Sequence, residues 1–172
     1  MRSRRALKTT AGAVVALIML GRYAVAQSES RSTDLSGTWV LDAQKSDFGR
    51  LQFPRVDTAV YQKSGVVYRV EEVGVVDSAV RITYSWPVGA GTTTSELSGI
   101  EGSILTEVKI KGDTARFVSL LRRKGITVEI QTGREYLSPD GRVRTREIDF
   151  QNLGNPNDDP EHLTLVFKKT RE

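Results

Sequence analysis

The chain has 172 residues, with 25 lysines and arginines against 21 aspartates and glutamates, one histidine and no cysteine. The lack of thiols excludes disulfide staples, a cysteine nucleophile and a thiolate metal site, and a lone histidine cannot build a histidine metal cluster. The formal charge of +4 is uneven: the first 26 residues hold five of the bases (Arg2, Arg4, Arg5, Lys8, Arg22) and no acid, leaving 20 bases against 21 acids in the rest. A net charge of about −1 over those residues lacks the surplus of cations that nucleic-acid binding draws on, so no nucleic-acid partner is expected.

Residues 1–26 have the anatomy of a cleavable signal peptide. A basic n-region precedes the apolar run Ala11 to Gly21, and Ala24-Val25-Ala26 offers small residues for cleavage before Gln27. That run is about half the ~20 residues a membrane-spanning helix needs. The Arg4-Arg5 pair loosely fits a twin-arginine signal as well. No cysteine follows to accept a lipid, so a periplasmic or secreted protein with no stable membrane anchor is expected. Residues 27–33 read as a disordered lead-in, and 34–172 as one domain, large enough to bury roughly 70% of its unfolded surface without staples.

Beyond Gly37 the dominant period is two, broken by turn residues. Strands are predicted at Gly37 to Asp42, Thr58 to Lys63, Val66 to Glu72, Val80 to Trp86 and Thr92 to Leu97. Further strands follow at Ile104 to Lys111, Ala115 to Arg122, Ile126 to Gln131, Arg134 to Leu137, Arg142 to Phe150 and Leu163 to Lys169. The connections are mostly of hairpin length, for example Ser64-Gly65, Lys111-Gly112-Asp113, Lys124-Gly125 and Ser138-Pro139-Asp140-Gly141. Successive strands are therefore antiparallel neighbours in an up-and-down meander. The fold class is all-β, and so many short strands in one domain hide their edges by closing into a barrel or stacking as a sandwich.

The opening Asp34-Leu35-Ser36-Gly37-Thr38-Trp39-Val40-Leu41-Asp42 favours the barrel. Gly37 allows a close backbone approach, and Trp39 supplies a ring large enough to plug one end of a closed sheet. Through Gly37-Thr38-Trp39-Val40-Leu41 and the later Phe48, the chain resembles the calycins, that is, lipocalins and fatty-acid-binding proteins. It resembles more closely a set of exported bacterial lipocalin-like proteins of unassigned function. That likeness adds Lys45-Ser46-Asp47-Phe48-Gly49, the hairpin Tyr136-Leu137-Ser138-Pro139-Asp140-Gly141 and the terminal strand Leu163 to Lys169. The resemblance implies a calycin-like barrel of about 8–10 strands.

Two departures bear on the ligand. Where fatty-acid-binding proteins carry an Arg-x-Tyr pair in the last strand to grip a carboxylate, this chain has Leu165-Val166-Phe167. The stretch Gly49 to Val56 contains Pro54 and shows no amphipathic helix that would form a lid. The expected partner is accordingly a small, neutral, largely apolar molecule inside the barrel, lined by Trp39, Leu41, Ile82, Tyr84, Trp86, Leu137 and Val143. The alternative is a filled barrel acting through its surface on other envelope components.

No catalytic residue, metal or cofactor is assigned. His162 follows Asp158, Asp159 and Glu161 in what reads as a polar loop with no nucleophile beside it. Asn155 to Asp159 is rich in oxygen but lacks the spaced ligands of a calcium loop. Tyr84 or Glu135 could serve an isomerisation, yet no paired acid and base accompanies them. Arg142, Arg144 and Arg146 share one face of a strand. If Pro139-Asp140-Gly141 is a three-residue loop, Leu137 faces Val143 and Tyr136 faces Arg144, which puts the arginines and Tyr136 outside, as a solvated sheet face with a cation-π pair or, alternatively, as a patch for an anionic partner such as lipid headgroups or envelope polymers. Ile148 and Phe150 fall in phase with the arginines, so a bulge near Glu147 is expected.

Overall fold

The computed structural model describes residues 34–50, 56–74, 81–155 and 159–170. The expected signal and lead-in lie outside the described residues. Among those described, ten strands form: β1 (Gly37–Leu41), β2 (Thr58–Ser64), β3 (Val67–Val73), β4 (Arg81–Pro87), β5 (Gly91–Glu96), β6 (Ser103–Lys111), β7 (Thr114–Arg123), β8 (Ile126–Leu137), β9 (Val143–Asn152) and β10 (Glu161–Lys169). All pairings are antiparallel, in the order β4-β3-β2-β1-β10-β9-β8-β7-β6-β5. Successive strands are paired except β4 with β5, and pairing of the first strand with the last wraps the meander into a nearly closed barrel. The described residues contain no helix.

Two predicted strands are one, and other boundaries shift by one to a few residues. Ile126 to Gln131 and Arg134 to Leu137 belong to a single twelve-residue strand, β8. Thr132-Gly133 is not a turn, because β7 and β9 pair with β8 on either side of it. Gly133 serves the interior instead: a Cβ there would lie 2.8 Å from the Phe117 ring and 2.1 Å from the Glu147 carbonyl oxygen. His162, expected in a loop, lies in β10, where its exposed ring sits 2.8 Å from Asp149.

The barrel closes along a seam between β4 and β5 that has no continuous ladder. Thr83 and Ser98 form an isolated bridge, with N–H donations each way at 3.2 and 3.1 Å. Side chains complete it: Ser95 Oγ accepts from the Ser85 amide at 3.0 Å, and Thr93 Oγ1 donates to the Ser85 carbonyl at 3.0 Å. Gly99 makes the seam possible. Its φ is +101°, and a Cβ there would lie 2.0 Å from the Arg81 carbonyl oxygen. Gly99→Ala should therefore cost at least the ~1–3 kcal/mol of backbone strain at a position reserved for glycine. Chemical denaturation followed by circular dichroism checks this; an unchanged midpoint would show that the seam does not contribute to stability.

One end of the barrel is plugged. Trp39 and Leu35 are buried there, and Trp39 Nε1 donates to the Leu35 carbonyl at 2.8 Å. Tyr68 completes the plug: its hydroxyl accepts from the Leu35 amide at 3.2 Å and donates to Asp34 at 3.0 Å. Burial first, and then the Asp34 carboxylate, push the Tyr68 phenol up to about 12. Hydrogen bonds from Ser36 and Tyr68 hold Asp34 below its ordinary value, against its own burial.

The turn between β8 and β9 sets which residues face inward. Ser138 bonds to Val143 rather than to Arg142: its amide donates to the Val143 carbonyl at 2.8 Å, and the Val143 amide donates to Ser138 Oγ at 2.9 Å. The loop is thus four residues, Pro139 to Arg142, folded around Asp140, whose Oδ1 accepts from Ser138 Oγ and the Arg142 amide. Leu137 pairs with Arg144, and Tyr136 with Thr145. This is one residue away from the expected register, and a one-residue slip moves every side chain to the other face.

Candidate functional site

The slip turns the arginine face inward. Arg144 and Arg146 are buried and in phase with Ile148 and Phe150, and pairing runs through Glu147 without a bulge. The anion-attracting surface patch of Arg142, Arg144 and Arg146 therefore does not exist. Only Arg142 is exposed, in the turn, and Val143, expected inside, takes the outer face. Tyr136 does face outward, but its hydroxyl is bonded to Glu147 and meets none of these arginines.

Arg144 lies nearer the plugged end, with none of its side chain reaching solvent. Its guanidinium carbon is 4.4 Å from the Phe167 ring centroid, 4.8 Å from that of Tyr61 and 5.6 Å from that of Trp39. The π faces of these rings attract the cation. They offer no acceptors in its plane, and Nε, Nη1 and Nη2 all lack a hydrogen-bond partner. The hydroxyl of Tyr61 is likewise buried and unpartnered.

Arg146 stands two residues closer to the open end, between the rings of Trp86 at 4.9 Å and Phe117 at 4.6 Å. Its Nη1 is 3.7 Å from Glu72 and its Nε 3.7 Å from Glu135. Both contacts are ion pairs beyond hydrogen-bond length. Burial pulls this guanidinium down, but the surrounding Tyr84, Tyr61, Glu135 and Glu72 outweigh it and hold it above its ordinary value. Tyr84 donates to Glu72 at 2.7 Å. Its phenol is raised well above its ordinary value by burial first and by the Glu72 charge second, so it keeps its proton.

Above Arg146 a cavity of about 200 Å³ opens at the end opposite the plug. Ile82, Trp86, Leu97, Ile100, Ile104 and Leu121 make its apolar wall, while Glu72, Tyr84, Arg123, Glu129, Gln131 and Arg146 supply polar groups. Of the residues expected to line a ligand, Ile82, Tyr84 and Trp86 are here. Trp39 is buried in the plug rather than lining this cavity, and Leu41 and Leu137 pack half-buried against the core. Sequence reasoning missed Glu72 and placed Arg146 on the outer face. Glu135 lies buried under Arg146, with neither carboxylate oxygen hydrogen-bonded. Among the described residues, no group of three or more histidines, aspartates and glutamates could hold a metal ion.

These features define a calycin-type β-barrel with a charged, aromatic interior. The structure is similar to Echinococcus granulosus fatty-acid-binding protein 1, with a TM-score of 0.51 and 8% identity, covering 80% of this chain and 98% of that one. It is also similar to human cRBP IV, with a TM-score of 0.50 and 12% identity over the same shares. No protein-family model and no curated sequence matches the chain.

Proposed function

We propose that the protein is an exported, non-catalytic carrier that holds a small, largely apolar molecule in the barrel, with an acidic group of that molecule on Arg146. The observation that carries this reading is the guanidinium at the cavity floor, whose contacts to Glu72 and Glu135, both at 3.7 Å, are longer than hydrogen bonds. Aromatic rings fix the guanidinium plane from both sides, as bidentate recognition of a carboxylate requires. The name of the fatty-acid-binding neighbour is in keeping with this class of ligand. The cavity, at about 200 Å³, falls below the ~300–1,000 Å³ of pockets for drug-sized ligands, which favours a shorter molecule. Export rests on the basic n-region, apolar run and Ala24-Val25-Ala26 of the sequence.

The neutral ligand expected from the last strand rested on the absence of a cation there. Leu165 and Phe167 do occupy β10, but they pair directly with Arg146 and Arg144 of β9. The cation is one strand over.

Titration with a medium-chain carboxylic acid and its methyl ester, read by tryptophan fluorescence through Trp86, tests the proposal. The acid should bind at least tenfold more tightly, as a charge-assisted pair worth about 1.5–3 kcal/mol implies. Arg146→Met combined with Glu135→Gln, which removes the carboxylate that the single change would strand, should abolish the preference. Equal binding of acid and ester would restore the neutral ligand, and binding of neither would favour a filled barrel that acts through its surface.

A further inference from the structure

At the rim of the open end, the hairpin between β7 and β8 presents Arg122, Arg123 and Lys124 in succession, followed by Ile126, which is 69% exposed. Arg123 also lines the cavity. A register shift between Leu121 and Arg122 bends the strand just before this tip, the kind of irregularity that re-aims side chains. Leu153, another exposed apolar residue, is tied to the same rim by its amide, which donates to the Val128 carbonyl at 2.8 Å.

The turn itself is unusual. Arg123 pairs with Ile126, so Lys124 and Gly125 form a two-residue loop, with φ of 50° and 77° respectively. Such loops favour asparagine, aspartate or glycine first, because both central residues need positive φ. Lys124 is the one non-glycine with positive φ among the described residues. A lysine held in a strained position at an exposed tip points to a use for its charge.

We infer that this hairpin docks the open end of the barrel onto an anionic phospholipid surface. Ile126 enters the headgroup boundary while Arg122, Arg123 and Lys124 meet lipid phosphates. Adjacent cations and an exposed apolar side chain together make an interfacial anchor. Among the acids of the neighbouring elements, Glu101 lies in the β5–β6 loop, Glu96 in β5 is in register with Ser103 and so with Arg122, and Glu129 stands three residues down β8 from Ile126 in the cavity wall, which leaves Arg123 and Lys124 nearest the tip. An apolar ligand partitions into bilayers, so docking there sets the cavity mouth against the ligand's source. The inference does not depend on whether the ligand is acidic.

Co-sedimentation of the purified protein with vesicles of equal parts phosphatidylcholine and phosphatidylglycerol tests it, with pure phosphatidylcholine as control. Binding should occur on the anionic vesicles alone and weaken with salt. Each cation near an anionic surface strengthens binding about fivefold, so Arg122→Ser with Lys124→Asn and Ile126→Ser should lose at least about 30-fold. Lys124→Asn alone should lose about fivefold while its unfolding midpoint stays the same or rises, since asparagine suits this turn. That combination separates docking from misfolding. Failure of the protein to bind anionic vesicles, or undiminished binding by the variants, would overturn the inference.

Discussion

Trp39→Ala lowers the stability of the domain by about 3–5 kcal/mol, the scale for emptying a buried aromatic site. Three connections meet at this ring. It is fully buried, its Nε1 supports the Leu35 carbonyl at 2.8 Å, and its face lies 5.6 Å from the Arg144 guanidinium and 5.4 Å from Lys169 Nζ. Alanine leaves a hole in the plug and an unmet carbonyl, and removes part of the aromatic cage around a cation with no other partner. Against a typical net stability of about 5–15 kcal/mol, the loss brings many such domains close to unfolding. Equilibrium denaturation of both forms gives the number. A difference below about 1 kcal/mol would mean that the plug is dispensable.

The sheet was legible because alternation is a local signal. Ile82, Tyr84 and Trp86 alternate with polar residues, and the structure puts all three inside. Gly37 and Trp39 suggested a plugged barrel, and Trp39 is buried in the plug. Gly133 fell in the gap between two predicted strands, and only the Phe117 ring lying across it explains its place inside β8.

The site was less legible, because register depends on turn geometry. A three-residue loop and a four-residue loop are both compatible with Ser138-Pro139-Asp140-Gly141, and the choice between them decides whether Arg144 and Arg146 face solvent or core. A usable signal was present. Ile148 and Phe150 share a phase with the arginines, so one uninterrupted strand with a charged inner face needs no bulge. The prior that arginine is rarely fully buried unless paired argued the other way. Glu135, one of the partners that justify burying Arg146, stands opposite it across the β8–β9 hairpin, a pairing that follows only once the loop is counted as four residues, whereas Glu72 lies on β3 and nothing in the sequence pattern joins it to Arg146.

That dependence gives the second large effect. Arg146→Met should destabilise the protein by about 3–5 kcal/mol, although methionine fills much of the same space, because it leaves buried carboxylates without their cation. Glu135 is fully buried with neither oxygen hydrogen-bonded, and Arg146 Nε at 3.7 Å is its ion-pair partner; Glu72 keeps the Tyr84 hydroxyl at 2.7 Å. The larger share of the loss should therefore come from Glu135. Adding Glu135→Gln to Arg146→Met removes the stranded charge and should recover most of the stability, an interaction that a double-mutant cycle measures directly. Arg144→Met should cost less, since that guanidinium has no hydrogen-bonded partner to strand. If Glu135→Gln restores nothing, the loss comes from packing between Trp86 and Phe117, and Arg146 is held there by its rings rather than by its charge.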